Sequence, residues 1–465
     1  MPRLRNASRP MLRWIDTVLP RRALFDKDRR LLHLFLGRFL ASTGFSVVIP
    51  FLALYLHGTR GVSMSAVGSL FFFGALCGVA GQVVGGEWSD RSGRKRVLVT
   101  CQVIRSVTFA GLGYAVTVHA PIVMFALLTG LSAFAGRMFE PPSGAMIADI
   151  TSGERRVEAY GVLRIGGNLG WAVGPALGGF LAALSYASLF YVASGVLLTA
   201  GILIAVLVEE THPRRRRRRE DAAGPERVAI PPVGPVGAGR GLSMAGTLAV
   251  LRDTLFLRYC LVTLLLFTVM GQLMATFSVY AVDWAGRTKV ELGAIYTLNG
   301  VMVVLLQFPV TRILAPLRMT SALIVGCLLY SIGYGMMGWG SSFALLLAGM
   351  FVVTAGEITC SPASMNLVAN FSPEDQRGRY MGVYGIFNSF GWSVGPLVGG
   401  VLLDLAAGRP KLLWSAIASL TVLAAIGYAD LRRRIDPALD QSPEAATARP
   451  AIMSRRPQGA GKEFR

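Results

Sequence analysis

Charge is scarce in this sequence. Asp, Glu, Lys and Arg make up 15% of its 465 residues against 53% hydrophobic, a balance too apolar for an ordinary soluble protein of this length. Acids are the scarcer sign, 26 against 46 Lys and Arg, which leaves a net charge of +20. Such an excess raises nucleic acid as a partner, but the basic residues fall between apolar runs with no folded basic region to carry them, so nucleic-acid binding is excluded. The four histidines, His33, His57, His119 and His212, have no carboxylate or cysteine at ligand spacing, and no metal site is expected. Five cysteines, an odd number lying in or beside apolar runs, imply no disulfide framework. There is no G-x-x-x-x-G-K-S/T run, so the chain has no ATP loop of its own and no cofactor is expected; uphill work would draw on an ion gradient.

What the chain has in abundance is glycine, and one glycine-rich stretch occurs twice. Residues 161–181 read GVLRIGGNLGWAVGPALGGFL and residues 382–402 read GVYGIFNSFGWSVGPLVGGVL. Gly161, Gly170, Gly174, Pro175, Gly178 and Gly179 pair with Gly382, Gly391, Gly395, Pro396, Gly399 and Gly400 at a constant offset of 221 residues. The same offset, without a gap, pairs Pro141 with Pro362, Ser143 with Ser364, Arg156 with Arg377 and Trp171 with Trp392. The chain is therefore two related halves. Interior glycine and proline would break a helix in water, at about 1 and 3 kcal/mol each. In a membrane, unpaired backbone is costlier still, so helix persists, and small residues four apart let a neighbouring backbone approach.

Twelve apolar runs are long enough to cross a hydrocarbon core of about 30 Å: 31–56, 64–86, 97–118, 121–148, 158–181, 187–208, 256–280, 290–310, 320–339, 342–369, 379–403 and 411–430. The fold class expected is an all-α integral membrane protein of twelve transmembrane helices in two pseudo-symmetric six-helix bundles. Its divisions are a basic N-terminal tail (1–30), a first bundle (31–208), a basic Pro/Gly-rich linker (209–255), a second bundle (256–431) and a disordered tail (432–465). Only Arg60, Arg287, Lys289, Arg409 and Lys411 fall in odd-numbered loops, so both termini are expected in the cytoplasm and the protein in the plasma membrane. The first thirty residues are no signal peptide, since the apolar run after them is too long and contains Arg38. Residues 10–19 form either a short interfacial helix or a plain basic tail, and the six arginines at 214–219 read as an anchor on anionic lipid.

The turn after span two, GEWSDRSGRKRVL, places Gly86, Asp90, Arg91, Gly93, Arg94 and Lys95 in one tight loop. A merely solvated basic loop would not need the glycines. This loop resembles the signature G-x-x-x-D-R-x-G-R-K/R of the major facilitator superfamily, and the match is close. The resemblance implies the major facilitator fold and a conformational latch. In it Asp90 would sit at the start of span eleven, near 379–382, where a helix N-terminus favours negative charge, and Arg94 would pair with Asp149 at the end of span four. In the second half the corresponding loop is lost: Asp90 becomes Thr311, Gly86 becomes Gln307, and only Arg91 keeps an arginine, Arg312. The first copy of the repeat fits G-x8-G-x3-G-P-x2-G-G at Gly161, Gly170, Gly174, Pro175, Gly178 and Gly179, and resembles the antiporter motif of the exporting branches of the same superfamily.

Ionisable residues inside spans are functional candidates by default. Arg137 and Glu140 share one face of span four; Arg137 resembles the span-four arginine of proton-driven drug exporters, and Glu-Pro-Pro an acid-Pro-Pro signature of bacterial multidrug-export relatives. Glu140 is expected to pair structurally with Arg137 or Arg164, to carry protons, or to contact substrate. Glu357, near the middle of span ten with Ser361 one turn on, is neutral, paired or taking up protons. Arg164, Asn168, Gln272, Asn299, Tyr384 and Asn388 are candidate cavity residues, with interhelical hydrogen bonding as the alternative.

The function these features and the resemblance imply is a monomeric drug:proton antiporter, exporting amphipathic small molecules by alternating access and not an enzyme. A metabolite exporter, an uptake permease and a non-transporting membrane sensor or scaffold stay open beside it.

Overall fold

The structure, a computed structural model, describes residues 29–151, 155–211, 250–373 and 376–441. The segments at 10–19 and 214–219 lie outside these. Among the described residues the chain folds into twelve long helices. The first six are α1 Arg29–Leu54, α2 Met64–Ser92, α3 Arg94–Thr117, α4 Ile122–Ile150, α5 Arg155–Leu184 and α6 Tyr186–Leu207. The second six are α7 Thr254–Met270, α8 Lys289–Leu314, α9 Met319–Trp339, α10 Phe343–Phe371, α11 Arg377–Ala406 and α12 Pro410–Arg434. Eleven of these are long and apolar enough to cross a membrane. The twelfth, α5, is as long as any at 30 residues, and its apolarity is diluted by the repeat glycines with Arg164 and Asn168. Val83, Val206, Ile313 and Leu405, each about 70% exposed, make an outer surface that suits lipid and not water.

Contacts between distant ends gather both ends of each half on one side of the bundle, here the linker side. Arg30 at the start of α1 pairs with Glu209 just after α6 at 2.9 Å. Tyr380 at the start of α11 donates to Asp253, which caps the first turn of α7. The chain beyond α12 is ordered as far as Gln441, in contrast to the disorder expected from residue 432. The reason is Asp440, whose carboxylate caps the start of α9 by accepting from Thr320 N at 2.8 Å and Thr320 Oγ1 at 2.5 Å, while Asn370 holds the carbonyls of Leu439 and Gln441.

The repeat governs the packing. Along α5, Gly170, Gly174 and Gly178 lie against Thr43, Ser46 and Val47 with Phe51 of α1. Along α11, Gly391, Gly395 and Gly399 lie against Leu264, Thr268 with Gly271, and Gln272 of the seventh span. Phe51 and Gln272 are themselves related by the 221-residue offset, as are Thr43 and Leu264, so the two seams are copies of one joint. A side chain at these glycines would enter the facing backbone or hydroxyl, which is why the seam is built of glycine.

Two helices depart from the continuous spans expected. α4 breaks at Phe139, where Pro141 and Pro142 supply no N–H to the preceding turn. The seventh span is continuous only to Met270; it tightens into a 3-10 turn at Gly271–Met274 and resumes at Thr276–Val279 before a π turn, Tyr280–Trp284. Here Gly271 packs against Gly395, and Gln272 Nε2 donates to Thr268 O of its own span and to Gly395 O of α11, each at 2.9 Å.

Candidate functional site

The loop between α2 and α3 turns at Gly93, whose φ of 104° belongs to glycine and whose missing side chain leaves room for Glu210. Glu210, just beyond α6, accepts from the backbone N–H groups of Arg94 and Lys95 at 2.9 and 3.2 Å and so caps α3. Arg94, 11% exposed, sets its Nε 3.2 Å from Asp149 Oδ2, close enough for an ion pair though not aligned as a hydrogen bond, and Thr211 donates to the same oxygen at 2.9 Å. Asp90 is 76% exposed, with Arg94 at 3.9 Å. At the start of α11 a side chain at Gly378, Gly382 or Gly385 would meet open space, as would one at Gly161 on α5.

The opposite, far side is sealed by contacts between the halves. Gly179 of α5 lies against Lys289 O of α8, and Gly293 of α8 against Pro175 O, 2.5 Å from where its Cβ would stand. The repeat-related contact joins Gly400 of α11 to Met64 O of α2, and Gly68 to Pro396 O. Asp404, near the end of α11, then caps α2: its carboxylate accepts from Met64 N at 3.0 Å, Ser65 N at 2.7 Å and Ser65 Oγ at 2.5 Å. Beyond the end of α7, Asp283 abuts Gly58; burial pushes its carboxyl above the ordinary value, opposed by His57 and Lys289.

Between the halves lies a cavity of about 590 Å³. The repeat places Trp171 and Trp392 on its two walls. Its charged groups are unevenly divided: Arg38, Arg105, Arg137 and Glu140 from the first half, and Glu357 alone from the second. Glu140 accepts from Arg38 Nη1 at 2.7 Å, so its partner is neither Arg137 nor Arg164. The break at Phe139 and the turn of α4 that follows aim the carboxylate at α1, a contact between residues 102 apart that local spacing does not reveal. Glu357 accepts from a neutral donor, Asn299 Nδ2, at 2.9 Å.

Of the residues expected to line a cavity, Asn168, Asn299 and Asn388 do so. Arg164 instead crosses between the halves, donating to Ser361 Oγ at 2.9 Å. Gln272 is fully buried in the α7–α11 seam, and Tyr384 is buried against Tyr259 with its hydroxyl on Ser364 Oγ at 3.2 Å; neither lines this cavity. Gln272 sits in the glycine-built joint and Tyr384 among Tyr259, Phe267 and Ser364, where closely packed helices need their polar groups satisfied. Asp404 and Glu210 were not singled out in the sequence; each is an acid in the turn of chain just past an apolar span, a position suited to capping another helix.

The family model described as Major Facilitator Superfamily matches residues 34–396, with a second, overlapping match at 285–458. The multidrug resistance protein MdtH of Aeromonas salmonicida (strain A449) is 26% identical over 408 residues, covering 86% of this chain and 95% of that protein. A Na(+), Li(+), K(+)/H(+) antiporter of Planococcus maritimus is 24% identical over 391 residues, covering 80% and 89%. The crystal structure of the nucleoside transporter NupG superposes with a TM-score of 0.69 at 16% identity, covering 87% of this chain and 99% of that one, a likeness of fold. With its motif loop, its repeated halves and its central cavity, the chain belongs to the Major Facilitator Superfamily of membrane transporters.

Proposed function

We propose that this transporter exports amphipathic small molecules across the cytoplasmic membrane in exchange for protons, by alternating access. The observation that carries the reading is the cavity between two halves sealed on the far side, with a membrane-embedded carboxylate, Glu357, held by a neutral amide. Arginine distribution makes the linker side cytoplasmic, so the cavity faces the cytoplasm. Export then requires the far-side seal at Gly179, Gly400 and Asp404 to open and the linker side to close, bringing Asp90 to the start of α11 as the latch.

Glu357 is the preferred proton carrier over Glu140. Glu140 has a guanidinium at 2.7 Å, which favours permanent ionisation. Glu357 has an amide at contact distance, while Arg164 holds Ser361 one turn away, so it has a cation within reach when the proton leaves. The relatives named for multidrug resistance and for cation/proton antiport agree with this direction of transport and this coupling. The test is a panel of amphipathic dyes and drugs in proteoliposomes with an imposed pH gradient. Gradient-dependent accumulation of several unrelated amphiphiles is expected; uptake that ignores the gradient would replace the proposal with facilitated transport.

A further inference from the structure

The cavity's first-half wall holds more positive charge than its acids neutralise. Arg105 of α3 lines the cavity, yet only 6% of its surface is exposed, and its Nε is fully buried without a hydrogen-bond partner. What it does touch is the Phe45 ring, 5.2 Å from its guanidinium carbon, and the space over Gly136, which a Cβ would fill to within 3.5 Å of Nε. The charged groups that bear on it are Arg38 and Glu140, and these are already paired with each other. Arg137, the residue after Gly136, is a second guanidinium on the same wall with no carboxylate partner among the described residues. With both lining carboxylates ionised, the three lining arginines still leave a positive excess, to which Arg164, held on Ser361 one turn from Glu357, adds.

A buried guanidinium without a counter-ion is an unfavourable state unless something arrives to pair with it. The planar fork of Arg105 is suited to a carboxylate, sulfonate or phosphate oxygen pair, and beside it stand Phe45, Phe109 and Trp171, which suit an apolar or aromatic body. We infer that Arg105, assisted by Arg137, forms a subsite for the anionic group of the transported molecule, so that the cargo is an amphipathic organic monoanion. A monoanion offsets this positive excess, whereas an amphipathic cation would add to it. This inference rests on the export reading for the word cargo; the subsite itself rests only on the cavity.

The test uses the full-length protein and three probes that share one ring system: 1-pyrenebutyrate, its uncharged amide, and the corresponding pyrenebutyl trimethylammonium. Binding is followed at equilibrium, without any gradient, by energy transfer from the cavity tryptophans. The anion is expected to bind at least tenfold more tightly than the cation. Arg105→Gln should remove that preference while leaving the uncharged amide within twofold of wild type, and Arg105→Lys should restore part of it. Equal binding of anion and cation by the wild-type protein, which needs no variant to fold, overturns the inference. So does an Arg105→Gln protein that keeps the full preference, since Arg105 would then be a structural residue or an alternative partner of Glu140. Under an imposed pH gradient in proteoliposomes the two readings separate: an anion that binds but is not accumulated refutes export and leaves the subsite standing, whereas accumulation of all three probes alike supports export and removes the subsite.

Discussion

Asp404→Ala should open the far side of the protein. The carboxylate accepts from the first two backbone N–H groups of α2 and from the Ser65 hydroxyl, at 3.0, 2.7 and 2.5 Å, across the boundary between the two halves. Losing a cap costs about 1 kcal/mol, and losing a negative charge at a helix start adds a few tenths after allowance for exposure. Because this contact exists only when the far side is closed, the whole of that, roughly 1.4 kcal/mol, bears on the conformational equilibrium and shifts it about tenfold. Spin labels at Val118 and Val290, both half exposed and on opposite halves near the far side, report the separation. The long-distance population should rise about tenfold in Asp404→Ala. It should rise less in Ser65→Ala, and the two changes together should be less than additive because they share a contact. Asp430→Ala, which removes a linker-side pairing with Arg434, is the control. Unchanged distances in Asp404→Ala, or a shift equal to that of the control, would refute the idea that this cap holds the closed state.

Three further outcomes follow from the same geometry. Glu357→Gln is expected to bind cargo and exchange it down a gradient with normal affinity, yet lose at least tenfold in pH-driven accumulation; full loss in Glu140→Gln with none in Glu357→Gln would reverse the assignment. Gly179→Val and Gly400→Val should both cut transport by more than tenfold and lengthen the Val118 to Val290 distance, because a side chain there enters the backbone of the other half, whereas Gly195→Val, where a side chain would meet open space, should be near wild type. Asp90→Asn should slow transport severalfold with cargo affinity within a few-fold, as measured by initial rates and equilibrium binding; loss of affinity without loss of rate would contradict a latch remote from the cavity.

The two-half architecture was legible because the 221-residue offset recurs in the packing itself: the residues that face one another across α1 and α5 are offset mates of those across α7 and α11. Span limits were legible to within a few residues wherever apolarity ended at a charge or a proline. The loop motif was legible as residues, but whether Asp90 engages α11 depends on the conformation adopted, which composition does not encode. What escaped the sequence is pairing over long separations. Arg38 finds Glu140 across 102 residues and Asp404 finds Ser65 across 339, while of the residues that look cavity-lining on polarity alone Gln272 is drawn into the seam that the glycines create and Tyr384 into the aromatic packing of α7 with α11. The break in the seventh span is likewise a property of the joint, since Gly271 yields where Gly395 presses against it.

Proton exchange is the central claim, and proton movement tests it most directly. Proteoliposomes loaded with an exported amphiphile and a pH-sensitive dye, then diluted into cargo-free buffer of equal pH, should acidify inside as cargo leaves, at a rate abolished by Glu357→Gln. Cargo efflux with an unchanged or rising internal pH would contradict antiport with protons.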